Sequence, residues 1–419
     1  MAEVRLGLRE NLPQFSLLVA INAFVGAMVG LERSTLPLIG EDDFGLTSSA
    51  AVLSFIVAFG LAKSLTNLAA GVGAQRAGRR RLLITGWLAA LPVPLLIAVA
   101  PSWSWIVAAN VLLGINQGLA WSMTVVMKID LVGPKGRGFA LGLNEAAGYG
   151  GVAIAAALTG WLAAEFAARE VLVAGGAAIA LVALALSMAF VRDTAAHVDL
   201  EQRSGNHDHK EAAPGIRSAF ADGSLRRPAL RACSQAGLVN NLNDALAWGL
   251  VPLFLAANGG SPEQIGLVAG IYPAVWGIGQ IFAGRWSDRI GRKGLIVAGM
   301  LIQALALGVL ALSDGRVSFA ALAAATLGVG TALVYPTLIA AVSDAVSPVA
   351  RAPAVGVYRF WRDMGYVAGG LVAGIAADAV GYGGAIAIVA GLTAASGLWV
   401  AIDLTEGGRR AGELRPASI

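Results

Sequence analysis

Charge is scarce in this chain. Asp, Glu, Lys and Arg make up 13% of its 419 residues, against about 25% in a soluble domain, which argues against a water-soluble globule. Cysteine occurs once, as Cys233, so an intrachain disulfide is excluded and redox chemistry is not indicated. No Gly-xxxx-Gly-Lys-Ser/Thr loop is present to cradle a nucleotide, so nothing points to ATP-driven work. Strand-type alternation of apolar and polar residues is missing as well. The formal net charge of +4 is too small to suggest a nucleic-acid partner. What is abundant is apolar: 57% hydrophobic residues, 54 glycines and a mean hydropathy of +0.71. So much glycine suits close helix–helix contact in lipid.

Apolar runs long enough to cross a bilayer fall near 13–32, 46–70, 82–100, 103–127, 138–163, 170–191, 229–257, 263–284, 294–313, 317–343, 353–377 and 382–404. The expected fold is an all-α membrane protein of twelve spans. Two six-helix halves, 1–191 and 229–404, are joined by a polar linker, 192–228, and followed by a tail, 405–419. The charged linker reads as flexible. Residues 1–12 are short and polar, not a cleavable signal, so the first apolar run is expected to stay as a helix. Basic residues set orientation. With the amino terminus inside, 24 of the 30 Lys and Arg face the cytoplasm, three (Arg33, Arg169, Arg316) sit in outer loops, and three (Lys63, Arg359, Arg362) lie within spans. Both termini are therefore expected in the cytoplasm, in a protein of a bacterial inner membrane that works as a monomer.

The chain also repeats itself at half its length. Gly71, Gln75, Arg76, Gly78, Arg79 and Arg80 return 213 residues later as Gly284, Asp288, Arg289, Gly291, Arg292 and Lys293. Asp130, Pro134 and Arg137 return as Asp344, Pro348 and Arg351, and Gly160 returns as Gly374. Such a repeat means two homologous halves, a common plan for secondary transporters. The Gly-xxx-Asp-Arg-x-Gly-Arg-Lys signature between the second and third span of each half resembles that of the major facilitator superfamily, over about residues 13–404. The resemblance implies a secondary transporter whose halves rock around a central site, with these loops latching the cytoplasmic side of the outward-facing state. The positions that carry this gating role over are Gly71, Arg76, Gly78, Arg79, Asp130, Arg137, Gly284, Asp288, Arg289, Gly291, Arg292, Asp344 and Arg351. For Arg80, Arg81 and Lys293 a plainer reading, topology signal and helix cap, is preferred. The first copy departs from the pattern at Gln75, which replaces the acidic residue and should weaken that latch. Asn110 stands where many family members carry an arginine in the fourth span, and the fifth span reads Gly148, Tyr149, Gly150, Gly151 without proline. The usual sequence support for drug/proton antiport is therefore missing.

Ionisable groups inside spans are costly and point to function. The eleventh span is the richest, with Arg359, Arg362 and Asp363, and Arg362 falls roughly 14 Å from its cytoplasmic end at a helical rise of about 1.5 Å per residue. Arg359 and Asp363 share a face. Their pairing would leave Arg362 to hold an anionic group, while a fully neutralised packing cluster is the plainer alternative. The fifth span carries Glu145, the seventh Asn240, Asn241 and Asp244, the second Lys63 and the first Asn22. Tyr272 and Trp276, with Tyr335 and Trp361, are candidate aromatic walls, although aromatics in spans are more often packing. Glu145 and Asp244 are the proton candidates. His197, His207 and His209 with nearby carboxylates are metal-capable in principle, but histidines spread through a polar linker read as solvated, and no metal site is expected.

These features imply a secondary active transporter in the lipid bilayer. It would move a small organic solute, with an anion as the candidate class, by alternating access, with a proton gradient as driving force and no cofactor. An efflux permease for drugs or divalent cations is the alternative among transporters. A non-transporting sensor or scaffold on the same fold has little reason to keep the charges, and no constellation of enzymatic spacing lies in the spans. Ser204→Cys should react in intact cells with a membrane-permeant thiol reagent and not with an impermeant one; labelling by the impermeant reagent would reverse the topology.

Overall fold

The computed structural model of this protein describes residues 4–133, 137–204, 216–346 and 350–405. No strand occurs among the described residues. The long helices, in order, are α1 (Leu12–Arg33), α2 (Ser54–Ala77), α3 (Arg79–Val99), α4 (Trp103–Val132), α5 (Arg137–Leu162), α6 (Ala168–Ala189), α7 (Pro228–Ala257), α8 (Pro262–Ile290), α9 (Lys293–Ala311), α10 (Val317–Asp344), α11 (351–380) and α12 (382–403). Gly381, at φ 77°, makes the turn between α11 and α12, a conformation that only glycine adopts without strain.

Among the described residues, nine segments are long and apolar enough to cross a membrane by length and composition alone. One of them, Pro353–Asp403, contains both α11 and α12. α5 and α7 fall outside the nine although they run 26 and 30 residues, because Asn144 and Glu145 in one, and Asn240, Asn241, Asn243 and Asp244 in the other, dilute their apolar windows. Counting these makes twelve. Large apolar side chains such as Leu95, Ile154, Leu305 and Ile375 are more than half exposed. Such a surface belongs against hydrocarbon, where backbone polar groups must be satisfied inside the helices.

The linker is helical over Ala195–Ser204 and Ile216–Ala221, followed by a π turn at Asp222–Arg226; residues 205–215, with His207 and His209, lie outside the described residues. An apolar anchor ties its described part to the bundle: Phe220 meets Phe360 and Trp361 of α11 at centroid distances of 5.6 and 5.7 Å. Trp361 also donates from Nε1 to Ser224 at 2.8 Å, so it faces the linker and forms no wall of a central cavity. His197 lies 3.2 Å from Asn11 Oδ1, and its partial burial lowers its pKa. No metal-holding cluster of His, Cys, Asp or Glu is found among the described residues.

The two halves, α1–α6 and α7–α12, press together most closely at the end of the bundle away from the termini and linker, here called the far end. A Cβ added to Gly160 of α5 would stand 2.5 Å from the Gly266 Cα of α8. Its repeat partner Gly374 of α11 has Ala50, just ahead of α2, at 2.6 Å on the same measure. Both seams thus require glycine. Asp378, near the end of α11, ties the second one down. It accepts from the Ser48 hydroxyl (2.6 Å), Ser49 N–H (2.6 Å) and Ala50 N–H (3.2 Å) of the other half. Hydrogen bonds to a charged group contribute about 1.5–3 kcal/mol, so Asp378→Ala should loosen far-end closure. Spin labels at the exposed residues Glu165 and Leu312 should then report longer distances, and an unchanged distance distribution would show that Asp378 does not hold the seam.

Candidate functional site

Midway along the bundle, polar residues from both halves converge. On α11, Arg362 donates to Asp363 Oδ1 from Nε (2.8 Å) and Nη2 (2.6 Å), and to the Tyr335 hydroxyl of α10 from Nη1 (2.6 Å). Asp363 Oδ2 accepts from Asn67 of α2 at 2.5 Å, and Asn67 Oδ1 accepts from the Ser122 hydroxyl of α4 at 2.7 Å. The expected pairing is therefore corrected: Asp363 is neutralised by its neighbour Arg362, and Arg362 is not the surplus charge. Tyr335 and Asn67 lie level with residues 362 and 363 and hold that pair. Arg359 is half-buried, and its Nε finds no partner among the described residues.

Two other charges have no such neutralisation. Asp244 of α7 is fully buried and accepts from the Tyr272 hydroxyl of α8 and from the Tyr366 hydroxyl of α11 at 3.4 Å; both donors are neutral phenols. Lys63 of α2 is buried with its Nζ over the rings of Phe59, Trp121 and Tyr366, at 5.5, 5.6 and 5.1 Å. Neither has an ion-pair partner within 4 Å among the described residues. Glu145 of α5 accepts on Oε1 from Trp121 Nε1 and Asn144 Nδ2, both at 3.0 Å, while its Oε2 is buried without a partner.

Aromatic rings connect these groups. Trp121 lies 5.2 Å from Tyr149, Tyr149 3.6 Å from Trp276, and Trp276 5.1 Å from Tyr335 and 5.7 Å from Tyr272, centroid to centroid. The Tyr149–Trp276 step crosses from one half to the other. Trp121 ends a π turn, Gln117–Trp121, that interrupts α4, an irregularity found often at functional sites. A small apolar cavity lies among α7, α8, α9 and α10, with Tyr272 in its wall.

Several expected members stand elsewhere. Asn22 donates to the Asn144 carbonyl at 2.7 Å and accepts from Thr124 at 2.8 Å, which packs α1, α4 and α5 within one half. Asn240 accepts from Gln303 of α9 at 3.1 Å, and Gln303 in turn accepts from Asn243 at 2.9 Å. The amide–amide alternative thus applies to the Asn240 carbonyl oxygen, while its Nδ2 is buried without a partner among the described residues. Asn241 is buried at the α7–α11 contact beside Gly365. Two buried cations escaped the sequence reading. Arg33, assigned there to an outer loop, is fully buried. Lys128, counted among the cytoplasmic charges, is also fully buried and donates to the Leu18 carbonyl at 3.3 Å. Both sit at the ends of apolar runs. Continuing α1 and α4 by one turn on the helical wheel is the signal that would have placed them inward.

Among the described residues, the repeated loop motifs make these contacts within each half. Arg79 Nε donates to Asp130 at 3.2 Å, and Thr194 adds a bond to the same carboxylate at 2.5 Å. In the second half Arg292 donates to Asp344 at 3.0 Å and to the Ser287 hydroxyl. The two recurring motifs are thus one device, tying the α2–α3 turn to the end of α4 and the α8–α9 turn to the end of α10. Gly78 and Gly291 make the turns at φ 85° and 97°. Arg80 serves as a helix-end cap, donating to the Met188 and Val191 carbonyls at 2.6 and 2.8 Å. Arg289 is exposed, and Gly284 has open space where a Cβ would go. Gly71, Arg76, Arg137, Asp288 and Arg351 lie, for their side chains, outside the described residues.

A duplicated twelve-span bundle with a charged cluster between its halves is the architecture of an integral-membrane transporter. The model of the Major Facilitator Superfamily matches residues 15–241 and 233–416, so the chain belongs to that family and is a secondary transporter of a small solute. It is similar to an uncharacterized MFS-type transporter of Salmonella typhimurium, 26% identical over 84% of this chain and 87% of the relative. It is equally similar, at 26%, to the 3-(3-hydroxy-phenyl)propionate transporter of Escherichia coli, over 73% of each. Among solved structures, a D-xylose-proton symporter superposes with a TM-score of 0.75 at 16% identity, covering 94% of this chain and 98% of that one. A bacterial homolog of the human lysosomal transporter Spinster, in an inward-facing and unoccupied conformation, gives 0.69 at 17%, covering 94% and 96%. At these identities the structures establish the fold alone.

Breaking a buried ion pair from one side costs about 3–5 kcal/mol. Arg362→Ala should therefore lower the melting temperature in detergent, and adding Asp363→Asn should recover part of the loss. Equal melting of the single and double variants would show that the two charges are not coupled.

Proposed function

We infer that this protein moves a small organic anion together with a proton by alternating access, with the end that carries the termini facing the cytoplasm. The observation that carries the reading is the pair of charges left without ion-pair partners at the junction of the halves, Lys63 and Asp244. Lys63 would receive the anion, and the rings of Trp121, Tyr149 and Trp276 would take its apolar part. Asp244 would carry the proton. A second negative charge brought close to Asp244 is relieved when Asp244 is protonated, so anion and proton favour each other's binding. Arg362 and Asp363 stay paired and position α11 against α2. The relative named for 3-(3-hydroxy-phenyl)propionate supports an aromatic carboxylate, and the proton symporter among similar folds supports the coupling. Tight far-end seams support a cytoplasm-facing state.

Uptake of labelled benzoate and 3-(3-hydroxyphenyl)propionate into proteoliposomes, with and without a pH gradient, tests this. Lys63→Gln should abolish anion transport. Asp244→Asn should keep anion exchange and lose accumulation driven by the gradient. Retention of gradient-driven accumulation by Asp244→Asn at the parent rate would overturn the reading.

A further inference from the structure

Arg33 is a fully enclosed cation, and the central cluster does not use it. It is 0% exposed. Nε, Nη1 and Nη2 all lack a hydrogen-bond partner among the described residues, and so does the nearby Trp248 Nε1. The guanidinium carbon stands 5.6, 4.8 and 5.1 Å from the ring centroids of Phe55, Phe59 and Trp248. A buried guanidinium with five N–H donors and no acceptor is costly unless something else uses it.

The plain role would be a helix-end charge. Arg33 does lie in the last turn of α1, where a cation favours the helix dipole. Yet none of its nitrogens reaches a carbonyl, and the Leu31 carbonyl accepts instead from the Thr35 hydroxyl at 3.2 Å. The neighbouring carboxylate Glu32 attracts Arg33 electrostatically but forms no hydrogen bond with it among the described residues. Glu32 lines a small cavity with Val93, Pro94 and Leu172, inside its own half. Arg33 faces the opposite way, onto Trp248 of the other half.

Its position on the transport axis is set by its neighbours. Phe59 and Trp248 each pack on Tyr366, at 5.6 Å in both cases, and Tyr366 leads to Asp244. On the other side, Leu53 and Ile56 close against Gly249 and begin the far-end seam. Arg33 therefore lies between the central cluster and the far-end closure. Phe55 and Phe59 belong to its own half; only Trp248 belongs to the other. Were the far end to open, Trp248 would leave with the other half, and the guanidinium fork would face the solution with Phe55 and Phe59 still beside it.

We propose that Arg33 is a second anion-binding site on the far-end half of the pathway, which takes an organic monocarboxylate: the fork binds the carboxylate and the rings of Phe55 and Phe59 take its apolar body. The proposal deepens the function inferred above and rests on its alternating access. It gives the substrate a first station where it enters, ahead of Lys63.

The test holds the far end apart with Gly160→Trp, since even a Cβ there meets the Gly266 backbone, and measures equilibrium binding of labelled benzoate to the purified protein. Adding Arg33→Gln should weaken benzoate binding about tenfold or more, and Arg33→Lys, which keeps the charge without the fork, should weaken it by a smaller factor. Lys63→Gln in the same background should leave the Arg33 site occupied, so a failure of the central-site reading and a failure of this one give different variants their effect. Neutral benzyl alcohol should not compete. A Gly160→Trp protein that binds no benzoate overturns the proposal. So does benzoate affinity in Arg33→Gln, or in Arg33→Lys should the glutamine variant not fold, that equals the background.

Discussion

Hydrocarbon cannot solvate a charge, and in this bundle that constraint decides which helices must touch. An ionised side chain placed mid-membrane costs roughly 3 kcal/mol or more unless it meets a partner, a ring face or water. Asp363 meets Arg362 and Asn67, and Asn67 brings in Ser122, so α11 and α10 of one half are tied to α2 and α4 of the other. Asp244 meets the hydroxyls of Tyr272 and Tyr366, and Lys63 meets the faces of Phe59, Trp121 and Tyr366. The interactions that make these charges tolerable are also those that join the halves at their middle. A solute or proton that alters one of them necessarily alters the fit between halves, which is the physical basis for coupling occupancy to conformation.

The ends of the bundle are built differently. At the far end the halves meet through glycine seams and the Asp378 carboxylate, contacts that hold only in one relative placement of the halves. At the other end the motif residues bind inside their own half, Arg79 to Asp130 and Arg292 to Asp344. Such ties stiffen each half. Stiff halves with a separable seam are what a rocking motion requires, because packed cores shift between discrete arrangements and do not deform continuously.

Much of this was legible in the chain. Scarce charge, long apolar runs and a repeat at half the length defined a duplicated helical membrane protein, because lipid admits only helices or closed barrels and strand alternation was missing. The central polar cluster was also visible: Lys63, Glu145, Asp244, Arg362 and Asp363 stand out because charge at such depth is rare. The count of twelve came from the sequence more clearly than from hydropathy over the helices, since α5 and α7 carry the polar residues that dilute their apolar windows. The apolar residues that anchor the linker to α11 were present in the sequence, but its charge concealed them.

Partners were another matter. Periodicity places Arg359 and Asp363 on one face, yet Asp363 goes to Arg362, because Tyr335 and Asn67 arrive from other helices at that level. Asn240 and Asp244 share a face of α7, yet one faces Gln303 of α9 and the other the phenols of α8 and α11. Arg33 and Lys128 looked like loop charges until the helices that bury them were in place. A sequence by itself determines which groups lipid will not accept and how far apart they lie along a helix. Which of them meet, and which are left with only a ring or an empty donor, depends on the rotation and depth of neighbouring helices, and these are set by packing across the whole bundle.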